Sequence, residues 1–61
     1  MIMPVVDLKI LGKLTHDQKA EISRQFTETL QSVAGKPPEY TYVIITEVER
    51  ENWAYKGELF G

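Results

Sequence analysis

The sequence contains no cysteine, one histidine and no long apolar run. Without cysteine there is neither a disulfide framework nor a thiolate metal site. The lone His16 leaves no imidazole set for a zinc or transition-metal centre. No stretch approaches the roughly 20 apolar residues of a membrane-spanning helix, and the start lacks the basic region and apolar core of a signal peptide. Seven Lys and Arg against nine Asp and Glu give a net charge of −2. The cations are scattered, so the basic stripe that nucleic-acid binding needs is missing. There is no Ser-His-Asp set and no Gly-rich phosphate loop. These absences predict a cytoplasmic protein with no metal, no nucleic acid and no membrane partner.

What is present is short and apolar. With 61 residues, 43% of them hydrophobic, the chain has room for one globular domain, residues 1–61. A domain of this size buries only about 60% of the surface its unfolded chain exposes. Chains this small lean on disulfides, metals or oligomerisation, and the first two are closed to this one. Self-association is therefore expected.

Val5 to Leu11 alternates, with Val6, Leu8 and Ile10 on one side and Val5, Asp7, Lys9 and Leu11 on the other. Period two with β-branched residues predicts a strand, and Gly12 and Lys13 turn the chain. Thr15 and Gln18 form the T-x-x-Q version of a capping box, and Asp17 suits the positive end of a helix dipole. Ile22, Phe26, Leu30 and Val33 follow at helical spacing as one apolar stripe. Gly35 ends the helix and Pro37–Pro38 prevent its restart, so the helix should span Thr15 to Ala34. Tyr40 to Val48 reads as a second strand. Its continuous centre, Val43–Ile44–Ile45, suits a strand covered on both faces. Asn52 to Gly61, with Trp53, Tyr55, Gly57, Leu59 and Phe60, reads as a short apolar hairpin.

Two strands flanking a helix make a single β-α-β unit of the α/β class, with parallel strands and a right-handed crossover. One helix covers one face of a two-stranded sheet. The other face and the apolar tail need a second copy of the chain.

Pro4 has an ordinary reading, because proline is tolerated at the first position of an edge strand. It also has a chemical one. If translation begins at Met3 and that methionine is removed, Pro4 carries a free secondary amine. In an apolar site the charged form of that amine loses solvation and its pKa falls, which suits a general base near neutral pH. A chain that keeps Met1 and Ile2 has Pro4 as a tertiary amide without a basic lone pair.

The chain as a whole resembles the 4-oxalocrotonate tautomerase family. The resemblance is carried by the M-P-V-V run from Met3, the strand ending in Leu11, and T-x-D-Q-K from Thr15 to Lys19. It continues with V-I-I-T-E-V from Val43 to Val48, E-N-W from Glu51 to Trp53, and K-G-E-L from Lys56 to Leu59. It runs without gaps from Met3 to the last residue. It implies a β-α-β subunit with a terminal hairpin, assembled as a homohexamer (a trimer of dimers). It further implies an amino-terminal proline that moves a proton between carbon and oxygen of a small enol or 2-oxo acid, without cofactor or metal.

Carried over position by position, Pro4 matches the catalytic proline. Trp53 falls where the family has an aromatic wall to the site; an interface anchor is its other role. The family has one arginine just after the first strand and one at the start of the second. Here Leu14 and Tyr42 stand in those places. Arginines hold carboxylates bidentately and draw charge onto an enolate, which Leu14 and Tyr42 do not do. Lys13, one position away, supplies a point charge or is simply a solvated turn residue. Tyr42 donates one hydrogen bond or packs across the strands. Arg24 is expected on the solvent side of the helix, and Arg50 at the surface near Trp53. Glu47, Glu49 and Glu51 alternate with other residues and could share one strand face; paired carboxylates there could do acid–base work, but an acidic strand end is ordinarily solvated. His16 is expected to be exposed.

Three functions follow. One is a cofactor-independent tautomerase with Pro4 as base and Trp53, Tyr42 and Lys13 around the substrate. Another is a non-catalytic oligomer, or silent subunit, of the same fold. The last is a small-ligand-binding module built on the same unit.

Overall fold

The computed structural model describes residues 3–61. Met1 and Ile2, on which the question of a free Pro4 amine turns, lie outside the described residues. Strand β1 (Val5–Leu11) leads into helix α1 (His16–Ala34), a 3₁₀ turn (Pro38–Tyr40) and strand β2 (Tyr42–Val48). A second 3₁₀ turn (Arg50–Asn52) precedes the two-residue strands β3 (Ala54–Tyr55) and β4 (Glu58–Leu59). β1 and β2 pair in parallel, from Val5 opposite Tyr42 to Leu11 opposite Val48; β3 and β4 pair antiparallel. The expected β-α-β unit with a terminal hairpin is what forms.

The expected capping box closes the helix start. Gln18 N–H donates to Thr15 Oγ1 at 3.1 Å and Thr15 N–H to Gln18 Oε1 at 2.9 Å. Two of the donors that every helix start leaves unpaired are thereby satisfied. Gly35 ends the helix in the left-handed region, φ 66°, where a Cβ is strained. Its N–H and that of Lys36 return to the carbonyls of Gln31 and Leu30. The second strand starts at Tyr42, two residues later than Tyr40. Tyr40 and Thr41 are held in the 3₁₀ turn by N–H bonds to the carbonyls of Pro37 and Pro38. In the tail, Lys56 (φ 54°) and Gly57 (φ 83°) make a two-residue turn with both φ positive. That handedness matches the twist of a hairpin, and Gly57 takes it without strain.

Val6, Leu8 and Ile10 of β1 and Val43 and Ile45 of β2 share one face of the sheet and are half-buried, as are Ile22, Phe26 and Leu30 of α1. Val33 lies on the same helical stripe yet is 82% exposed. The 19-residue helix is about 28 Å long, whereas a seven-residue strand is about 23 Å, so the last turn outruns the sheet. The opposite sheet face carries Val5, Tyr42 and Ile44 in the open, Ile44 at 52% exposure. The second cover expected for Val43–Ile45 is thus not provided within one chain. No described residue is fully buried. The radius of gyration is 14.4 Å, against about 10.5 Å for a compact domain of this length.

The turn between β1 and α1 is tied to the end of β2. Gly12 N–H donates to the Val48 carbonyl at 3.1 Å. Leu14 N–H donates to Glu47 Oε2 at 2.7 Å, and Lys19 Nζ to Glu47 Oε1 at 3.2 Å. The Leu14 N–H bond, then the Lys19 ammonium, holds the Glu47 carboxyl below its usual value of 4.5. On the outer face of α1, Arg24 bridges Glu21 and Glu28. That contact, with help from Gln25, pulls Glu21 down to about 2. Arg24 is therefore on the solvent side, as its position in the helix predicts.

Thr15→Ala should lower unfolding free energy by about 1 kcal/mol and Thr15→Ser by much less, as read by urea denaturation. Glu47 titrates lower folded than unfolded, so its contribution is complete above the ordinary carboxylate range and is lost as pH falls through the depressed value. Glu47→Gln should accordingly be less stable than the parent near neutral pH. The gap should close in acid, when denaturation is repeated across a pH series.

Candidate functional site

Pro4 enters β1 beside the first residue of β2. Its carbonyl accepts Tyr42 N–H at 2.9 Å, and the next residue, Val5, is the register partner of Tyr42. Proline has no N–H to offer a ladder, so the entry of an edge strand accommodates it without an orphaned donor. Pro4 is half-buried. Tyr42, 51% exposed, shares the open sheet face with Val5 and Ile44. The structure therefore brings two of the four sequence-designated site residues, Pro4 and Tyr42, to one end of the sheet.

Lys13 and Trp53 belong to the other end. Lys13 sits between the two tethered residues Gly12 and Leu14, and its ammonium lies 3.8 Å from Glu49 Oε1, with both side chains largely exposed. Trp53 comes five residues after the end of β2. Its N–H donates to the Arg50 carbonyl at 3.2 Å and its carbonyl accepts Phe60 N–H at 2.9 Å. The hairpin thus folds back on the 3₁₀ turn, and Trp53 is half-buried where they meet. Arg50 Nε donates to the Phe60 carbonyl at 3.1 Å, which ties this arginine to the tail. Glu49, Arg50, Glu51 and Gly61 line a shallow concavity of about 360 Å³ at this end.

At about 3.3 Å per residue, the seven steps from Pro4 to Leu11 cover about 23 Å. Pro4 and Lys13 of one chain are consequently too far apart to touch one small molecule. Pro4 and Tyr42 at one end and Lys13 and Trp53 at the other do not converge within one chain.

Glu47, Glu49 and Glu51 do not form one acidic face. Glu47, the next-to-last residue of β2, lies on the helix side, Glu49 lies beyond the strand and Glu51 is in the 3₁₀ turn. Glu47 is not a solvated strand end either. Its side chain is 26% exposed and bound to Leu14 and Lys19. The sequence did hold a signal for this, since Glu47 continues the inward parity of Val43 and Ile45. His16, by contrast, is exposed as expected. Among the described residues, no three His, Asp or Glu side chains group as metal ligands, and no helix is long and apolar enough to cross a membrane.

Comparison with known proteins agrees with this fold. The model of the family described as tautomerase enzyme matches residues 4–61. Probable tautomerase K2 of Dickeya dadantii is 40% identical over 57 residues, covering 92% of this chain and 85% of that protein. The crystal structure of a 4-oxalocrotonate tautomerase homologue, 36% identical, superposes with a TM-score of 0.85 over 95% of this chain and 92% of its own. A heterohexameric 4-oxalocrotonate tautomerase from Chloroflexus aurantiacus shares the fold at 24% identity, with a TM-score of 0.83 over 95% of this chain and 94% of its own. The chain belongs to the tautomerase family.

Proposed function

We propose that the protein is a cofactor-independent tautomerase whose site is shared between copies of the chain. Pro4 and Tyr42 of one copy face Lys13 and Trp53 of another. The observation that carries this reading is the separation of about 23 Å between the two ends of β1, in a chain whose family match opens on Pro4. The bare sheet face with Val5, Tyr42 and Ile44 and the exposed tail residues Tyr55, Leu59 and Phe60 support assembly. A homohexamer, as a trimer of dimers, is the assembly we propose.

The chemistry requires Pro4 as a free secondary amine. Its neutral nitrogen takes the hydroxyl proton of an enol and becomes a pyrrolidinium. The electron pair of the broken O–H bond passes into the enolate. The carbon at the far end of the enolate then takes the proton back from the pyrrolidinium, forming a C–H bond and leaving a carbonyl. One proton has moved from oxygen to carbon and the amine is restored, so no co-reactant is consumed. Tyr42 donates its hydroxyl to the oxygen where charge gathers. Lys13 pairs with the substrate carboxylate as a single point charge. Trp53 keeps water from the proline and so favours the neutral amine. With one ammonium where the family uses two guanidiniums, the substrate is a monocarboxylate enol or 2-oxo acid.

Untagged protein from its native start region should have an intact mass beginning at Pro4. It should convert phenylenolpyruvate, and Pro4→Ala should lose that activity by at least about 100-fold. A mass that includes Met1, with no turnover, would establish the non-catalytic oligomer instead. Mixing Pro4→Ala chains with Lys13→Met chains under conditions that exchange subunits should restore activity above either parent. Failure of a fully exchanged mixture to do so would place the site within one chain.

A further inference from the structure

We propose that Glu47 is a positioning residue that presents Lys13 to the substrate carboxylate; this rests on the reading of Lys13 given above. The residues on either side of Lys13 are both bonded to the end of β2. Gly12 N–H meets the Val48 carbonyl at 3.1 Å, and Leu14 N–H meets Glu47 Oε2 at 2.7 Å. The first bond continues the parallel ladder and needs no particular side chain. The second exists only because residue 47 carries a side-chain oxygen that reaches across to the turn. A hydrogen bond from an amide to an ionised acceptor is shorter and stronger than one between neutral groups, and this one closes the turn on the side that leads into α1.

Glu47 also brings a negative charge toward a site meant for an anion. Lys19, one turn into α1, answers it from 3.2 Å, with 38% of its side chain exposed against 26% for Glu47. Glu47 therefore holds the turn while its own charge is balanced from the helix. Lys13 stays oriented outward, paired with Glu49 only at 3.8 Å. An exposed pair at that separation is weak, so an arriving carboxylate competes with Glu49 for the Lys13 ammonium. One carboxylate, Glu47, thus fixes the backbone, while a different one, Glu49, is the loose partner that substrate displaces.

The test compares the parent with Glu47→Ala, Glu47→Gln and Lys13→Met. The substrates are phenylenolpyruvate and its methyl ester, which keeps the enol but lacks the carboxylate. Glu47→Ala should lower kcat/KM for the acid about tenfold, mainly through KM, and leave the ester within about twofold. Lys13→Met should show the same split. Glu47→Gln keeps an acceptor for Leu14 N–H and should recover most of the loss. In parallel, hydrogen exchange at the Leu14 amide should be slow in the parent and in Glu47→Gln, and fast in Glu47→Ala. An equal loss on acid and ester, or unchanged Leu14 protection in Glu47→Ala, would overturn the proposal while leaving the proline chemistry intact. If the parent turns over neither compound, the tautomerase reading fails by itself. Phenylpyruvate binding, followed by backbone amide shifts, then decides: weaker binding by Glu47→Ala than by Glu47→Gln supports the positioning role, and equal binding overturns it.

Discussion

The parallel pairing of β1 with β2 is the constraint on which the rest of this structure depends. Parallel strands cannot be joined by a tight turn, because the chain must return to the starting edge before the second strand begins. Helix α1 is that return, and its apolar stripe is the cover for one side of the sheet. The same pairing sorts the candidate site residues. Both strand entries, Pro4 and Tyr42, lie at one end, and both exits, Leu11 and Val48, lie at the other. An antiparallel pair would have brought Pro4 beside Val48 and its neighbours. The parallel pair keeps the proline a strand's length from Lys13 and the Trp53 segment.

A sheet of two strands under one helix is a half-finished core. Val6, Leu8, Ile10, Val43 and Ile45 are partly covered by Ile22, Phe26 and Leu30, yet no described residue is fully buried. At this length the surface left by folding is too large a share of the whole for one layer of packing to be comfortable. The apolar residues on the other face and in the tail hairpin make the subunit suited to assembly. In the function proposed above, another copy of the chain both covers this face and completes the site.

The turn after β1 shows how a small protein places a cation without a rigid loop. Its backbone is anchored on both sides of Lys13 by β2, through the Val48 carbonyl and the Glu47 carboxylate. Lys19 compensates the anchor. The charges at this end of the sheet thereby divide into a half-buried, well-partnered pair and an exposed, loosely held one. Lowering of the Glu47 titration reflects the first group. Availability of the Lys13 ammonium reflects the second.

Much of this was legible in the sequence because it depends on near neighbours. The T-x-x-Q capping box, the Gly35 stop, the alternation of Val5–Leu11 and the tail hairpin with its glycine are all set by residues close to one another in the chain, and each formed as its chemistry dictates. The order of strand, helix and strand determined the parallel pairing, and the ordered motifs from Pro4 to Leu59 pointed to the family. Tertiary structure decided what depends on length and on distant partners. The helix outran the sheet and left Val33 exposed. Glu47 found Leu14, 33 positions away, and became an anchor and not part of an acidic face. Four residues that the sequence grouped as one site were divided between two ends. Spacing along a chain records local geometry, but a strand about 23 Å long turns nearness in a motif into separation in space, and only the pairing of strands decides which ends meet.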